Sequence, residues 1–302
     1  MIKDFQQLLK VAKEQKTMKM AIAAAQDEEV LVAACNAAEM GIVEPILVGD
    51  VCKIDEIAKE HQLDISKYQM IDQKELDQAA RTAVELVSTG QADFVMKGIL
   101  DTSILLKAVL DKEIGLRTDS QLSHVMLYKV ESYPKMLFLT DGGMNIAPSL
   151  EEKVKILKNA VRVAKAIGIE NVKVACLAAK EKVDPKMPAT VDAEQLKKMG
   201  EEGIFGKGVI VDGPLAFDLA ISKEAAQIKK FDSEVAGDAD VLLVPAIEVG
   251  NGIGKALTYL ANSDSAGIIM GAKAPVVLVS RADTHEVKLN SIALGSVIAS
   301  NK

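Results

Sequence analysis

Short, continuously apolar runs alternate with longer amphipathic ones along nearly the whole chain, and this rhythm limits the fold more than any other feature. "MKMAIAAA" at 18–25 reads as a strand and "DEEVLVAACNAAEMG" at 27–41 as a helix. "EPILVGD", "YQMID" and "ADFVMKG" are further strands, separated by the helical stretches "VCKIDEIAKEHQ" and "QKELDQAARTAVELVSTG". Alternation of this kind predicts βα units and a mainly parallel sheet. The strands lack a polar face, as expected where helices cover both sides of the sheet.

One stretch breaks the rhythm. "LSHVMLYKVESYPKMLFLTDGG" reads as two strands joined by "ESYPK", a hairpin rather than a crossover. A second alternating series follows. The helix at 149–168 carries a start signal in Ser149 and a stop signal in Gly168. "GVIVDGPLAFDLAIS" and "ADVLLVPAIEVGNGIGKALTYLAN" each read as strand, turn and helix, and "APVVLVS" as a strand before a last helix at 284–300. A chain of 302 residues is long enough for two domains. The expected division is 1–140 plus 281–302 for the first α/β domain and 141–280 for the second, the last helix packing back on the first.

Composition removes several function classes. Aromatic residues make up 3% of the chain, Trp is absent and the net charge is -7, so no nucleic-acid partner is expected. No run of about eighteen apolar residues occurs, so no membrane span is expected. The amino-terminal "MIKDFQQLLKVAKEQ" lacks the apolar core of a signal peptide, which points to the cytoplasm. Cys35, Cys52, Cys176 and His61, His124, His285 are scattered outside metal-ligand spacing, so the expected metal set is none.

Ligands of open α/β sheets bind beyond the carboxyl ends of strands. Five such ends are polar or glycine-rich: "VMKGILDTS", "LFLTDGGMNIAPS", "VIVDGPLAFDLA", "VPAIEVGNGIGK" and "APVVLVSRADTHE". Each also serves as an ordinary turn or helix cap, but together they would form a polar rim. "GNGIGK" has the spacing of neither a P-loop nor a dinucleotide fingerprint. Lys255, read as opening a helix, is placed to meet an anion. Of the 36 Lys and Arg residues only Arg81, Arg117, Arg162 and Arg281 are arginines. Arg281 follows an apolar run and a serine, and its planar fork suits phosphate or carboxylate better than a lysine does.

"TDGGMNIAPSLEEKVKI", "VDGPLAFDLAIS", "VPAIEVGNGIGKAL" and "APVVLVSRADTHEVK", in this order, resemble the phosphate acetyltransferase/butyryltransferase family over nearly the whole chain. The SRAD-type ending and the GPLAFD turn lie nearest its butyryl branch. The resemblance implies two doubly wound α/β domains with an inter-domain cleft, as in isocitrate and isopropylmalate dehydrogenases. It implies reversible transfer of a short-chain acyl group, butanoyl for this branch, between coenzyme A and inorganic phosphate. Coenzyme A is then a substrate, no cofactor stays bound, and a homo-oligomer, dimer or larger, is expected. Orientation and charge stabilisation would supply most of the rate.

The same resemblance assigns roles. Arg281 takes the phosphoryl group, and Ser280 hydrogen-bonds phosphate or the carbonyl oxygen. Asn145 contacts the acyl phosphate and Asp141 orients it. Thr102 and Ser103 are phosphate donors, Lys97 is a secondary cation, and Asn251 and Lys255 complete the substrate-binding set. Ungapped counting puts Val287 where the acetyl enzymes have their proposed aspartate base, leaving Asp283 and Glu286 as the nearby carboxylates. Three alternatives stand beside this reading: acetyl as the acyl group, an NAD-dependent oxidoreductase of related fold, and a non-catalytic acyl-CoA or phosphate binder. Acyl-chain preference, NAD binding and turnover separate them.

Overall fold

The computed structural model describes residues 2–280 and 282–301. Its elements run α1 (Phe5–Glu14), β1 (Met18–Ala23), α2 (Glu28–Glu39), β2 (Val43–Gly49), α3 (Val51–Glu60), β3 (Gln69–Asp72), α4 (Leu76–Ser88), β4 (Phe94–Lys97) and α5 (Thr102–Val109). The hairpin β5 (Ser123–Lys129) and β6 (Leu137–Thr140) follows, then α6 (Leu150–Ala166), β7 (Val172–Leu177), α7 (Pro188–Glu201) and β8 (Val209–Leu215). The rest is α8 (Phe217–Ile221), α9 (Lys223–Ile228), β9 (Val241–Leu243), α10 (Ile247–Tyr259), β10 (Asp264–Met270), β11 (Val276–Val277) and α11 (His285–Ser300).

The chain forms two compact units, Phe5–Ser120 with Ala266–Lys302, and Met1–Asp4 with Gln121–Ser265. In the first, strands lie in the order β3-β2-β1-β4-β11-β10. All neighbours there are parallel except β10 and β11. In the second the order is β5-β6-β9-β7-β8, parallel except for the β5–β6 hairpin. The units divide earlier in the chain than the expected boundaries at 140/141 and 280/281. Hydrogen-bond ladders decide this. The hairpin joins the second sheet through Phe138↔Val241, and β11 joins the first through Val276↔Val95.

Local signals close the helices. Asp27 accepts the Val30 amide at 3.0 Å and caps α2. Ser149 and Glu152 form a reciprocal capping box at the start of α6. Gly168, at φ +87°, ends that helix in the left-handed region. Helix α11 is buried on every side from Lys288 to Ala299, as a helix without a polar face must be. It packs on α1, α2, β1, β4 and β11, returning to the amino-terminal unit as expected.

Three stretches differ from the sequence reading. Strand β11 covers Val276–Val277 rather than 274–280. "VDGPL" belongs to β8 instead of a turn, with a cis Gly213–Pro214 bond. "GNGIGK" lies inside α10, whose buried residues are Gly250 and Gly254. A Cβ on Gly250 would stand 2.6 Å from Gly142 Cα, and one on Gly254 2.8 Å from the Tyr128 hydroxyl. These glycines let the helix approach β5 and the loop after β6. Among the described residues no helix is long and apolar enough to cross a membrane.

Candidate functional site

In the first unit, β4 and β11 are parallel neighbours, with Val277 beside Met96. Their carboxyl ends leave the sheet at one edge, where such folds bind ligands. The β4–α5 loop and the segment to Ser280 both start there. Lys97 closes β4. It is 7% exposed, and its ammonium donates to the carbonyls of Gly98 at 3.0 Å and Leu100 at 3.2 Å. The Gly98 amide donates to Ala23 O at 2.8 Å and the Ile99 amide to Ala24 O at 3.0 Å. A Cβ on Gly98 would come 1.9 Å from Ala24 O, so glycine alone fits. Lys97, expected as a secondary cation, thus helps hold this loop.

The pinned loop delivers Thr102 and Ser103 as the first two residues of α5, both exposed. Asp101, at the N-cap, makes no side-chain cap bond. Two hydroxyls therefore accompany a helix start without a side-chain cap, a combination suited to phosphate oxygens.

The segment after β11 turns tightly. The Ser280 amide donates to Asp283 Oδ2 at 2.8 Å, and the Asp283 amide donates back to Ser280 O at 3.2 Å. Ser280 Oγ accepts the Ala282 amide at 3.3 Å. Arg281, expected to grip phosphate, lies outside the described residues. Thr284 is the N-cap of α11, and the Asp283 carboxylate is turned back on Ser280. Glu286 is exposed, and His285 Nε2 lies 3.0 Å from it while His285 Nδ1 lies 3.2 Å from Glu29. A hydrogen bond from Thr284 holds Glu286 below the usual carboxylate range, which makes it a weaker base.

In the second unit, Asp141 gathers the loop after β6. It is 2% exposed. Oδ1 accepts the amides of Gly143 at 2.8 Å and Met144 at 2.9 Å, and Oδ2 accepts the His124 amide at 3.0 Å. Asn145 donates to Asp141 Oδ2 at 2.6 Å and to Leu122 O at 2.9 Å, and its Oδ1 accepts from Gln121 at 2.7 Å. Asp141 thus fixes the Asn145 side chain. Both amide hydrogens of Asn145 are committed, however, so it frames the loop rather than offering a donor to an acyl phosphate. Asn251, on α10, donates to Gly142 O at 3.4 Å and joins this group. Lys255 does not. It lies well inside α10 rather than at its start, away from the amino-terminal dipole, with its ammonium 5.6 Å from the Tyr259 ring centroid.

The sequence reading missed Gln121, His124 and Lys288. A lysine beside the apolar run that begins at Leu289 was the available signal for Lys288; nothing local marked Gln121. Burial pushes the Cys35 and Cys176 thiols up, so neither is poised as a nucleophile. Among the described residues no group of three or more His, Cys, Asp or Glu side chains could hold a metal ion.

The doubly wound units define an α/β protein of the class that binds its ligands beyond the carboxyl ends of its strands. The family described as Phosphate acetyl/butaryl transferase matches residues 4–81 and 73–296, and the chain belongs to it. It is 49% identical over 302 residues to the phosphate butyryltransferase of Clostridium acetobutylicum, covering 100% of both chains. The branched-chain phosphotransacylase of Enterococcus faecalis V583 superposes with a TM-score of 0.83 at 33% identity, covering 94% of this chain and 99% of that one. A 4-hydroxythreonine-4-phosphate dehydrogenase of Klebsiella pneumoniae shares the fold, with a TM-score of 0.54 at 13% identity over 94% of this chain and 99% of that one. The dehydrogenase-like architecture expected from the sequence is therefore present.

Proposed function

We propose that the chain transfers a butanoyl group reversibly between coenzyme A and inorganic phosphate. The observation that carries this reading is 49% identity, end to end, with a protein named phosphate butyryltransferase. Towards acyl phosphate, a phosphate oxygen attacks the thioester carbonyl, the C–S bond breaks, and coenzyme A leaves as a thiolate that takes up a proton. In reverse, the thiol gives up its proton, sulfur attacks the carbonyl carbon, and the C–O bond to phosphate breaks.

The residues divide that work. Ser280 donates its hydroxyl to the phosphate or the carbonyl oxygen, and Arg281 grips the phosphoryl group in a bidentate fork. Thr102 and Ser103 donate to phosphate oxygens beside the α5 amides. Asp283, whose carboxylate lies against the Ser280 turn, takes the thiol proton. Asp141, Asn145 and Asn251 keep the loop after β6 in one shape, and rigid placement of donors is how such a site lowers a barrier. Coenzyme A enters as a substrate. The enzyme works in the cytoplasm as a homo-oligomer.

The test incubates the protein with phosphate and acyl-CoAs from acetyl to hexanoyl and follows free thiol. Phosphate-dependent release should be greatest with butanoyl-CoA, and Ser280→Ala and Arg281→Ala should each lose most of it. Two buried methylenes at about 0.8 kcal/mol each give a preference over acetyl of about ten- to twenty-fold. A maximum at acetyl reassigns the acyl group; no phosphate-dependent release with any acyl-CoA refutes the transfer.

A further inference from the structure

We infer that Lys288 is a positioning residue for phosphate, acting through the turn that presents Ser280; this deepens the function proposed above and rests on it. Lys288 is 3% exposed, on a stretch of α11 where Leu289, Ile292 and Ala293 are also buried. Among the described residues its ammonium has one partner, the backbone carbonyl of Asp283. Asp283 in turn holds the Ser280 amide on Oδ2 at 2.8 Å and returns its own amide to Ser280 O. A chain of contacts thus runs from the helix interior to Ser280.

A buried ammonium without a carboxylate partner is costly, and an apolar side chain would fill the same space without that cost. Packing therefore does not account for a charge at this position. Two uses of it do. The charged donor fixes the Asp283 carbonyl more firmly than a neutral one would. It also places a fixed positive charge behind the turn, where a phosphate beside Ser280 would feel it in a low-dielectric setting. Lys97 makes the contrast, since its ammonium gathers two carbonyls of its own loop.

The experiment measures inorganic phosphate binding to the full chain by calorimetry, and the KM values for phosphate and butanoyl-CoA in parallel. Lys288→Met should weaken phosphate binding and raise the phosphate KM by about tenfold or more, with the butanoyl-CoA KM within about twofold. Its melting temperature should not fall, because an unpaired buried charge is removed. Lys288→Arg, which keeps charge and donor, should return the phosphate KM to within about threefold of the wild-type value. Should Lys288→Met fail to fold, Lys288→Gln carries the same comparison. Unchanged phosphate affinity, an equal rise in both KM values, or a wild-type chain that binds no phosphate overturns the inference. Phosphate binding that depends on Lys288 without any thiol release upholds it and refutes the transferase reading instead.

Discussion

Asp141 Oδ2 accepts a 2.6 Å hydrogen bond from Asn145 Nδ2, and the same carboxylate collects the backbone amides of His124, Gly143 and Met144. The loop after β6 is thus organised around a buried anion supplied by the protein itself. Asn145, which the sequence suggests as a ligand contact, is part of that scaffold. Ile146 O also accepts the Ile247 amide at 2.9 Å, tying the loop to the start of α10.

Removing the buried Asp141 carboxylate leaves four partly buried donors without their acceptor. Asp141→Ala should cost about 3 kcal/mol or more of unfolding free energy in urea titration. A loss below about 1 kcal/mol would show that the loop does not depend on this group.

The buried and the exposed face of α10 should respond oppositely to an added methyl group. Gly250→Ala drives a Cβ to 2.6 Å from Gly142 Cα and should destabilise by about 1–3 kcal/mol. Gly252 faces open space, so Gly252→Ala should stabilise the helix by about 0.5–1 kcal/mol. Denaturant midpoints of the two variants moving the same way would contradict this packing.

Lys255 should be dispensable for phosphate. Lys255→Ala is expected to leave the phosphate KM within about twofold, since the residue lies deep in α10 beside Tyr259. A larger rise, with the butanoyl-CoA KM unchanged, would restore the anion-binding role read from the sequence.

Acid stability should report on the segment after α5. The amides of Glu113 and Ile114, then Arg81, hold the Asp111 carboxyl down at about 2, against an ordinary 3.8. The unfolded chain takes up this proton first as pH falls, so the stabilisation is complete above about pH 4 and fades towards pH 2. Asp111→Asn should therefore lie below wild type in melting temperature at neutral pH, with the gap narrowing between about pH 4 and 2. A gap of constant size across that range would remove the linkage.

Much of the fold was legible in the chain because its signals are local. Asp27 and Ser149 cap helices through amides three residues on, and Gly168 ends α6 through its own backbone. The strand–helix rhythm reflects which residues a parallel sheet must bury. Ser280 was legible as the polar end of an apolar run, though the turn it forms with Asp283 was not.

Other features were not, and they share a cause. "GNGIGK" has the same letters whether its glycines bend a loop or let a helix press on a neighbour, and Gly142, far away in the chain, decides between them. Asp283 reads only as a carboxylate near the last helix until the backbone folds it onto Ser280. The unit boundaries follow strand pairing, as when Phe138 meets Val241. Lys288 became a buried cation only because α11 is enclosed by α1, α2 and the strands beneath it.

The sequence by itself determined the elements, the α/β class and the residues able to meet an anion, since each follows from interactions within a few positions. The tertiary structure alone decided which of those polar groups support the protein's own loops and which stay open to a ligand. That division depends on close approaches between distant segments, where one added carbon or one committed hydrogen bond changes a side chain's role.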